Sequence, residues 1–215
     1  GALIRANAPL PETADEICAI AKALDADPGD MRLGSHATES ELKSLSANGQ
    51  LSKYRIVHFA THGVLAGQLQ PNSEPGLILT PPAVATTQDD GFLAASEVAG
   101  FKLDADWVIL SACNTAGAQG DADGFDALSG LARAFFYAGA RALLVSQWEV
   151  ASQSTVQLVS TTVGAIARDS DIGRAEALRR AMAYMIASDD PRLAHPSYWA
   201  PFIVVGEGAV ARLSR

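Results

Sequence analysis

The fold of this chain is constrained most by an alternation between short runs of β-forming residues and segments whose apolar residues recur every three or four positions. The β-type runs predict strands, whereas a 3.6-residue period predicts helices that pack on them. Strands and helices that alternate in this way are typical of an α/β domain with a mostly parallel sheet. The predicted strands are YRIVHFA (54–60), GLILT (76–80), WVILSA (107–112), ARALLVSQW (140–148) and PFIVVG (201–206).

The start and end of several helices can also be predicted. Thr13 with Glu16, and Thr38 with Glu41, have the spacing of a capping box, so each pair predicts a helix start. Gly139 follows a strongly periodic segment at the position where a C-terminal cap falls. The helical segments with one apolar face include 128–136, 156–166 and 178–186.

Composition and charge narrow the class of protein. The 215 residues are 48% hydrophobic and 19% charged, which is typical of a folded domain. A net charge of −8 disfavours nucleic acid or an anionic membrane as the main partner, because both bind a concentrated basic surface. No apolar run approaches 18 residues, and the first residues lack the apolar core of a signal peptide. We therefore expect a cytoplasmic protein whose two cysteines are reduced.

The domain organisation is expected to be simple. The sequence shows no internal repeat, no low-complexity tract and no shift in composition that would mark a boundary. We expect residues 1–215 to form a single domain, and Gly1 suggests that this domain was excised from a longer chain.

Two residues with catalytic chemistry follow the ends of two predicted strands. His62, with Gly63 directly after it, follows the first strand, and Cys113 follows the third. If both strands belong to one parallel sheet, both side chains emerge at its carboxyl edge, where open α/β sheets bind their ligands. A free thiol has a pKa of about 8.5, so a nearby imidazole would help it to react. The backbone N–H groups of Gly63 and Cys113 could stabilise an oxyanion.

Simpler interpretations of these residues stay open. A free cysteine is most often a small buried side chain, and His62 could be an ordinary loop histidine. His58 and His62 are four residues apart on β-type sequence, a span of about 13 Å that is too long for one metal ion. We therefore expect no metal site, and nothing in the sequence calls for a cofactor. Cys18, beside Ile17 on the first predicted helix, is expected in the core.

At these residues the sequence resembles the CHAT domain, a caspase-like module of bacterial cysteine peptidases. The separation of 51 positions between His62 and Cys113 is close to the roughly 50 found in caspase-type proteases. The resemblance implies a three-layer α/β/α caspase-like sandwich with a mostly parallel central sheet. The matching segments follow the family's order: RIVHFATHG, LILT, DGFLAASEV, VILSACNTA, GLARAFFYAGARALLVSQW and HPSYWAPFIVVG.

The resemblance also implies an activity, a cysteine endopeptidase that cleaves a protein or peptide substrate under control by a partner or attached domain. In such an enzyme Cys113 would attack the scissile carbonyl and His62 would protonate the leaving amine. The amides of Gly63 and Cys113 would bind the oxyanion. CHAT domains often follow helical repeats such as tetratricopeptides, so an N-terminal helical-repeat domain is the partner expected in the parent protein.

One segment departs from the pattern of the family. Many CHAT domains carry acidic residues after the fourth strand, and the equivalent residues of related peptidases are thought to receive a basic P1 side chain. Here the sequence is SQWEVASQSTV (146–156), with Ser152 and Gln153 at the positions where acidic residues are expected. Glu149 is the nearest acid and the residue expected to bind a basic P1, unless it is an ordinary solvated charge. A catalytically idle scaffold and a hydrolase of small amides stay open as alternatives.

Overall fold

A computed structural model describes residues 2–5, 7, 10–111, 127–148 and 152–209. Within them the helices are α1 (Ala2–Arg5), α2 (Glu12–Ala23), α3 (Glu39–Ala47), α4 (Ala95–Ala99), α5 (Ala127–Tyr137), α6 (Ser152–Arg168), α7 (Arg174–Ile186) and α8 (Pro191–Ala194). The strands are β1 (Ile56–Phe59), β2 (His62–Val64), β3 (Gly76–Ile78), β4 (Phe92–Ala94), β5 (Trp107–Leu110), β6 (Ala142–Ser146) and β7 (Phe202–Gly206).

Four of the described strands form the main sheet, in the order β1-β5-β6-β7. Strands β1, β5 and β6 run parallel, and β7 joins β6 in the antiparallel direction. The mostly parallel sheet predicted from the sequence is confirmed.

The main sheet is buried on both faces. Along β5 the side chains of Val108 and Leu110 belong to one apolar cluster, and those of Trp107 and Ile109 belong to another. This follows from the strand period of two, which sends successive side chains to opposite faces. Residues of α4 and α5 complete the first cluster, whereas residues of α2, α6 and α7 complete the second. The result is the predicted three-layer α/β/α arrangement.

A second, antiparallel sheet contains β2, β3 and β4. The strand predicted at 76–80 is therefore real, but it pairs here and not in the main sheet. Only two residues separate β1 from β2, whereas a parallel crossover needs a dozen or more. The chain consequently leaves the main sheet at Ala60 and Thr61 and begins a new one at His62.

The two predicted capping boxes have different outcomes. The hydroxyl of Thr38 accepts a hydrogen bond from the backbone N–H of Glu41 at the start of α3, as predicted. The prediction for Thr13 was wrong, because α2 begins at Glu12 and the Thr13 hydroxyl donates to the carbonyl of Leu10. Glu16 is instead buried against the main sheet.

Helix α5 ends as its sequence indicated. Gly139 has a φ of +107°, the left-handed region that favours glycine. The N–H of Ala140 donates to the carbonyl of Phe135 over 3.0 Å and closes the last turn.

Candidate active site

The ends of β1 and β5 lie side by side in parallel register. Phe59 pairs with Leu110, and the N–H of Ser111 extends the ladder by donating to the carbonyl of Phe59 over 2.9 Å. His62 is three positions beyond Phe59, and Cys113 is three positions beyond Leu110. The two segments therefore leave the same edge of the sheet at the same offset. Cys113 itself lies outside the described residues.

His62 occupies the first position of β2 and is half-buried. His62 lines a cavity of about 850 Å³ that lies beside β1, the edge strand of the main sheet. Its wall is mostly apolar and includes residues of α2, α3 and β1, among them Ile17, Leu42 and Val57. The candidate catalytic histidine is therefore one of the residues that line this cavity.

The direction of the backbone groups in the small sheet can be determined from its outer hydrogen bonds. The N–H of Leu79 donates to Gly91, and the N–H of Ala95 donates to Pro75. In an antiparallel pair, residues alternate between those that exchange hydrogen bonds with a given neighbour and those that face away from it. Leu77, midway between Pro75 and Leu79, therefore also directs its backbone groups towards β4.

The same alternation fixes the orientation of Gly63. Because Leu77 faces β4, its neighbours Gly76 and Ile78 face β2, where their register partners are Val64 and His62. Gly63 lies between these two partners, so its N–H is directed away from β3. Gly63 lies in an extended strand and has no positive φ. Its amide nevertheless points out of the sheet, as an oxyanion donor would require.

A third strand end adjoins the other two. Strand β6, the neighbour of β5, ends at Ser146 and is followed by Gln147 and Trp148. The indole of Trp148 is 40% exposed, an unusual exposure for so large an apolar side chain. Glu149, the residue expected to bind a basic P1 side chain, lies outside the described residues. Helix α6 then begins at Ser152.

A polar cluster beneath this edge was not predicted. The imidazole Nε2 of His58 lies 2.9 Å from the hydroxyl of Ser111 and 3.0 Å from Oε1 of Glu16. No partner for His58 could be named from the sequence. The register decides this contact: His58 pairs with Ile109, and Ser111, two residues after Ile109, lies on the same face of the sheet.

The prediction that Cys18 belongs to the core was wrong, because its side chain is exposed on α2. The core-facing positions of that helix are instead Glu16 and Ile20, four residues apart on the opposite side. Cys18 is therefore available as an internal control for the chemistry of Cys113.

Two further observations concern the described part of the chain. Its His, Cys, Asp and Glu side chains include no group of three or more that could hold a metal ion. Of the helices that the structure describes, none has the length and hydropathy that crossing a membrane requires.

Comparison with known proteins places these features in a family. The CHAT domain model matches residues 4–207, nearly the whole chain. The chain belongs to the CHAT domain family. The resemblance predicted from the motifs is thereby confirmed.

The relatives of this CHAT domain include two mammalian proteins, both named Tetratricopeptide repeat protein 28. The one from Mus musculus is 27% identical over 229 aligned positions, which cover 92% of this chain and 9% of the mouse protein. The one from Homo sapiens is 27% identical over 225 positions, which cover 92% of this chain and 8% of the human protein. This CHAT domain therefore spans less than a tenth of the length of these relatives. Both relatives are mammalian, so CHAT-like sequences are not confined to the bacterial peptidases that the motifs resemble.

Proposed function

We propose that this CHAT domain is a cysteine endopeptidase with a dyad of Cys113 and His62. The observation that carries the proposal is the pairing of Phe59 with Leu110 in parallel register. It brings the two segments that hold the dyad out at one sheet edge, the usual ligand-binding edge of an α/β sheet. Membership of the CHAT family supports the same assignment.

In the proposed reaction the thiol of Cys113 gives its proton to the imidazole of His62, and the thiolate Sγ attacks the carbonyl carbon of the scissile peptide bond. A C–S bond forms, and the electron pair of the carbonyl moves to its oxygen. The C–N bond then breaks while the imidazole of His62 gives a proton to the departing amine. Water hydrolyses the resulting thioester and releases the new carboxyl end, which restores the thiol.

The amides of Gly63 and Cys113 would bind the oxyanion of the tetrahedral intermediate. The orientation of Gly63, with its N–H directed away from β3, supports its part of this role. Backbone donors of this kind are fixed before the reaction begins, so little reorganisation is needed when charge develops.

The proposed substrate is a protein or peptide, with a basic P1 side chain bound by Glu149. The net charge of −8 favours a basic segment as the guest. Trp148, 40% exposed at the neighbouring strand end, supplies apolar surface beside the site. The names of the two mammalian relatives support a further proposal, that tetratricopeptide repeats in the parent protein recruit the substrate or control access to the site.

The test uses the purified chain, a peptide library and mass spectrometry. Wild type and Cys18→Ser should cleave the same peptides, and Cys113→Ala should cleave none. Cys18→Ser is the matched control, because it removes the other, exposed thiol. Cleavage that persists in Cys113→Ala would contradict the dyad. A wild type that cleaves nothing, with Cys113 alkylated no faster than Cys18, would favour a catalytically idle scaffold.

His62→Ala tests the other half of the dyad. Loss of a positioned general acid costs about 10²–10⁴-fold in rate, so kcat should fall by that factor. A fall of less than tenfold in His62→Ala would mean that another group protonates the leaving amine.

A further inference from the structure

Three polar side chains form a cluster inside the molecule, between α2, β1 and β5. They are Glu16, His58 and Ser111, and we refer to them as the edge cluster. Glu16 is 2% exposed and the side chain of His58 is 9% exposed. The Nε2 of His58 lies 3.0 Å from Oε1 of Glu16 and 2.9 Å from Oγ of Ser111.

The edge cluster has the residue types of a serine-hydrolase triad but the wrong geometry. In such a triad the carboxylate bonds one imidazole nitrogen, and the serine bonds the other, so that a proton can pass from hydroxyl to ring. Here Glu16 and Ser111 approach the same nitrogen of His58. The arrangement therefore cannot activate Ser111 as a nucleophile.

The two polar neighbours of His58 both lie beside its Nε2, and their contacts differ in kind. Oε1 of Glu16 lies 3.0 Å from Nε2 but has no hydrogen-bond partner among the described residues, whereas the contact of Nε2 with the Ser111 hydroxyl is a hydrogen bond. The Nδ1 of His58 is buried and has no hydrogen-bond partner among the described residues. Among the described residues, the hydrogen bond that holds the ring is therefore the one between Nε2 and Ser111, with Glu16 in contact with the same nitrogen.

The edge cluster is close in sequence to both residues of the proposed dyad. His58 is four residues before His62, and Ser111 is two residues before Cys113. Besides its side-chain bond to His58, Ser111 donates its backbone N–H to Phe59 over 2.9 Å. The last residue described before the segment with Cys113 is thus tied to β1 twice.

Apolar side chains at the site of the edge cluster would have a lower cost in desolvation free energy. The surrounding cluster consists of residues such as Ile20, Trp107 and Ile109, and apolar residues of similar volume often replace a buried ion pair with no loss of stability. Hydrogen bonds have a direction, whereas apolar contacts do not. A polar link therefore holds two backbone segments in one orientation, which apolar packing does less strictly.

We propose that the edge cluster is a positioning device for the catalytic dyad. His58 and Ser111 hold the ends of β1 and β5 so that the imidazole of His62 meets the thiol of Cys113, and Glu16 orients the ring of His58. This inference rests on the proposed function, and it adds three residues that touch neither substrate nor reacting atoms.

The experiment starts from Cys18→Ser, in which Cys113 is the only thiol. Into it are placed Ser111→Ala, Ser111→Thr and, as a matched control, Ser160→Ala. Ser160 also loses a hydroxyl hydrogen bond, 2.6 Å to the carbonyl of Val156, but within α6. Three quantities are measured for each variant: kcat and KM on a cleaved peptide, the rate of Cys113 alkylation by iodoacetamide, and Tm.

If the inference holds, Ser111→Ala lowers kcat at least tenfold with KM within twofold. It also slows alkylation at least threefold, because a thiol loses reactivity when its basic partner is misplaced. Ser111→Thr keeps the hydroxyl and recovers at least half of both values. Ser160→Ala changes neither, whatever its effect on Tm.

The inference is overturned if Ser111→Ala leaves kcat and alkylation within twofold, or if Ser160→Ala lowers them equally. If Ser111→Ala does not fold, Glu16→Gln decides instead, with at least a twofold slower alkylation expected. Should the wild type cleave no peptide, the alkylation rates still decide the positioning role, so the peptidase proposal and this inference fail separately.

Discussion

Phe135→Ala tests how α5 is held on the main sheet. The side chain of Phe135 is 0% exposed, and its ring centroid lies 5.5 Å from that of Phe59, tilted by 50°. Truncation to Ala removes about 150 Å² of buried apolar surface, which corresponds to about 4 kcal/mol of burial free energy at ~25 cal/mol per Å². Measured Phe→Ala changes in cores are about 3–5 kcal/mol. We expect a loss of that size in the free energy of unfolding.

The assay is urea unfolding followed by tryptophan fluorescence, with the slope m compared between variants. Tyr137→Ala is the control, since Tyr137 lies on the same helix but is 81% exposed. Its substitution should change the free energy of unfolding by less than about 0.5 kcal/mol. A loss below about 1.5 kcal/mol for Phe135→Ala would contradict the packing described here, because a filled core position cannot lose an aromatic ring so cheaply.

Two further predictions concern stability. Gly139→Ala should lower the free energy of unfolding in urea by at least about 2 kcal/mol more than Gly49→Ala does. Both glycines have a positive φ, but only at Gly139 would an added Cβ overlap the carbonyl of Leu103. Equal losses would mean that the close approach is absent. Hydrogen bonds from Arg179 and Arg180 lower the pKa of Glu176 to about 2. Because this pKa lies below the unfolded value of 4.5, the ionised Glu176 stabilises the fold above pH 4.5, and this stabilisation should be lost as the pH falls towards 2. In low salt Glu176→Gln should therefore show a smaller fall in Tm between pH 5 and pH 3 than wild type; an equal fall would contradict the ion pairing.

Much of the fold could be predicted from local patterns. The strand at 54–60 and the helix that ends before Gly139 were predicted from periods of two and 3.6 and from a glycine cap. Such signals act over a few residues, so they can be read from the sequence directly. The failure at Thr13 is also local in origin: a spacing typical of a cap recurs inside a helix that starts one residue earlier.

Pairing between distant segments could not be predicted in the same way. The run at 76–80 has the composition of a strand, but composition does not say which sheet it joins. Cys18 and Glu16 lie on one helix, and only packing against the main sheet decided that the carboxylate faces inward.

The candidate site shows the same division. The sequence by itself identified the two candidate catalytic residues, His62 and Cys113, and placed each after a predicted strand, because residue identity and local pattern are properties of the chain alone. Only the tertiary structure decided that β1 and β5 are direct neighbours with Phe59 opposite Leu110. It also decided that His58 on β1 contacts Ser111, which follows β5, and Glu16 of α2. These contacts join residues about 50 positions apart, and their geometry depends on the register of a sheet that no local pattern specifies.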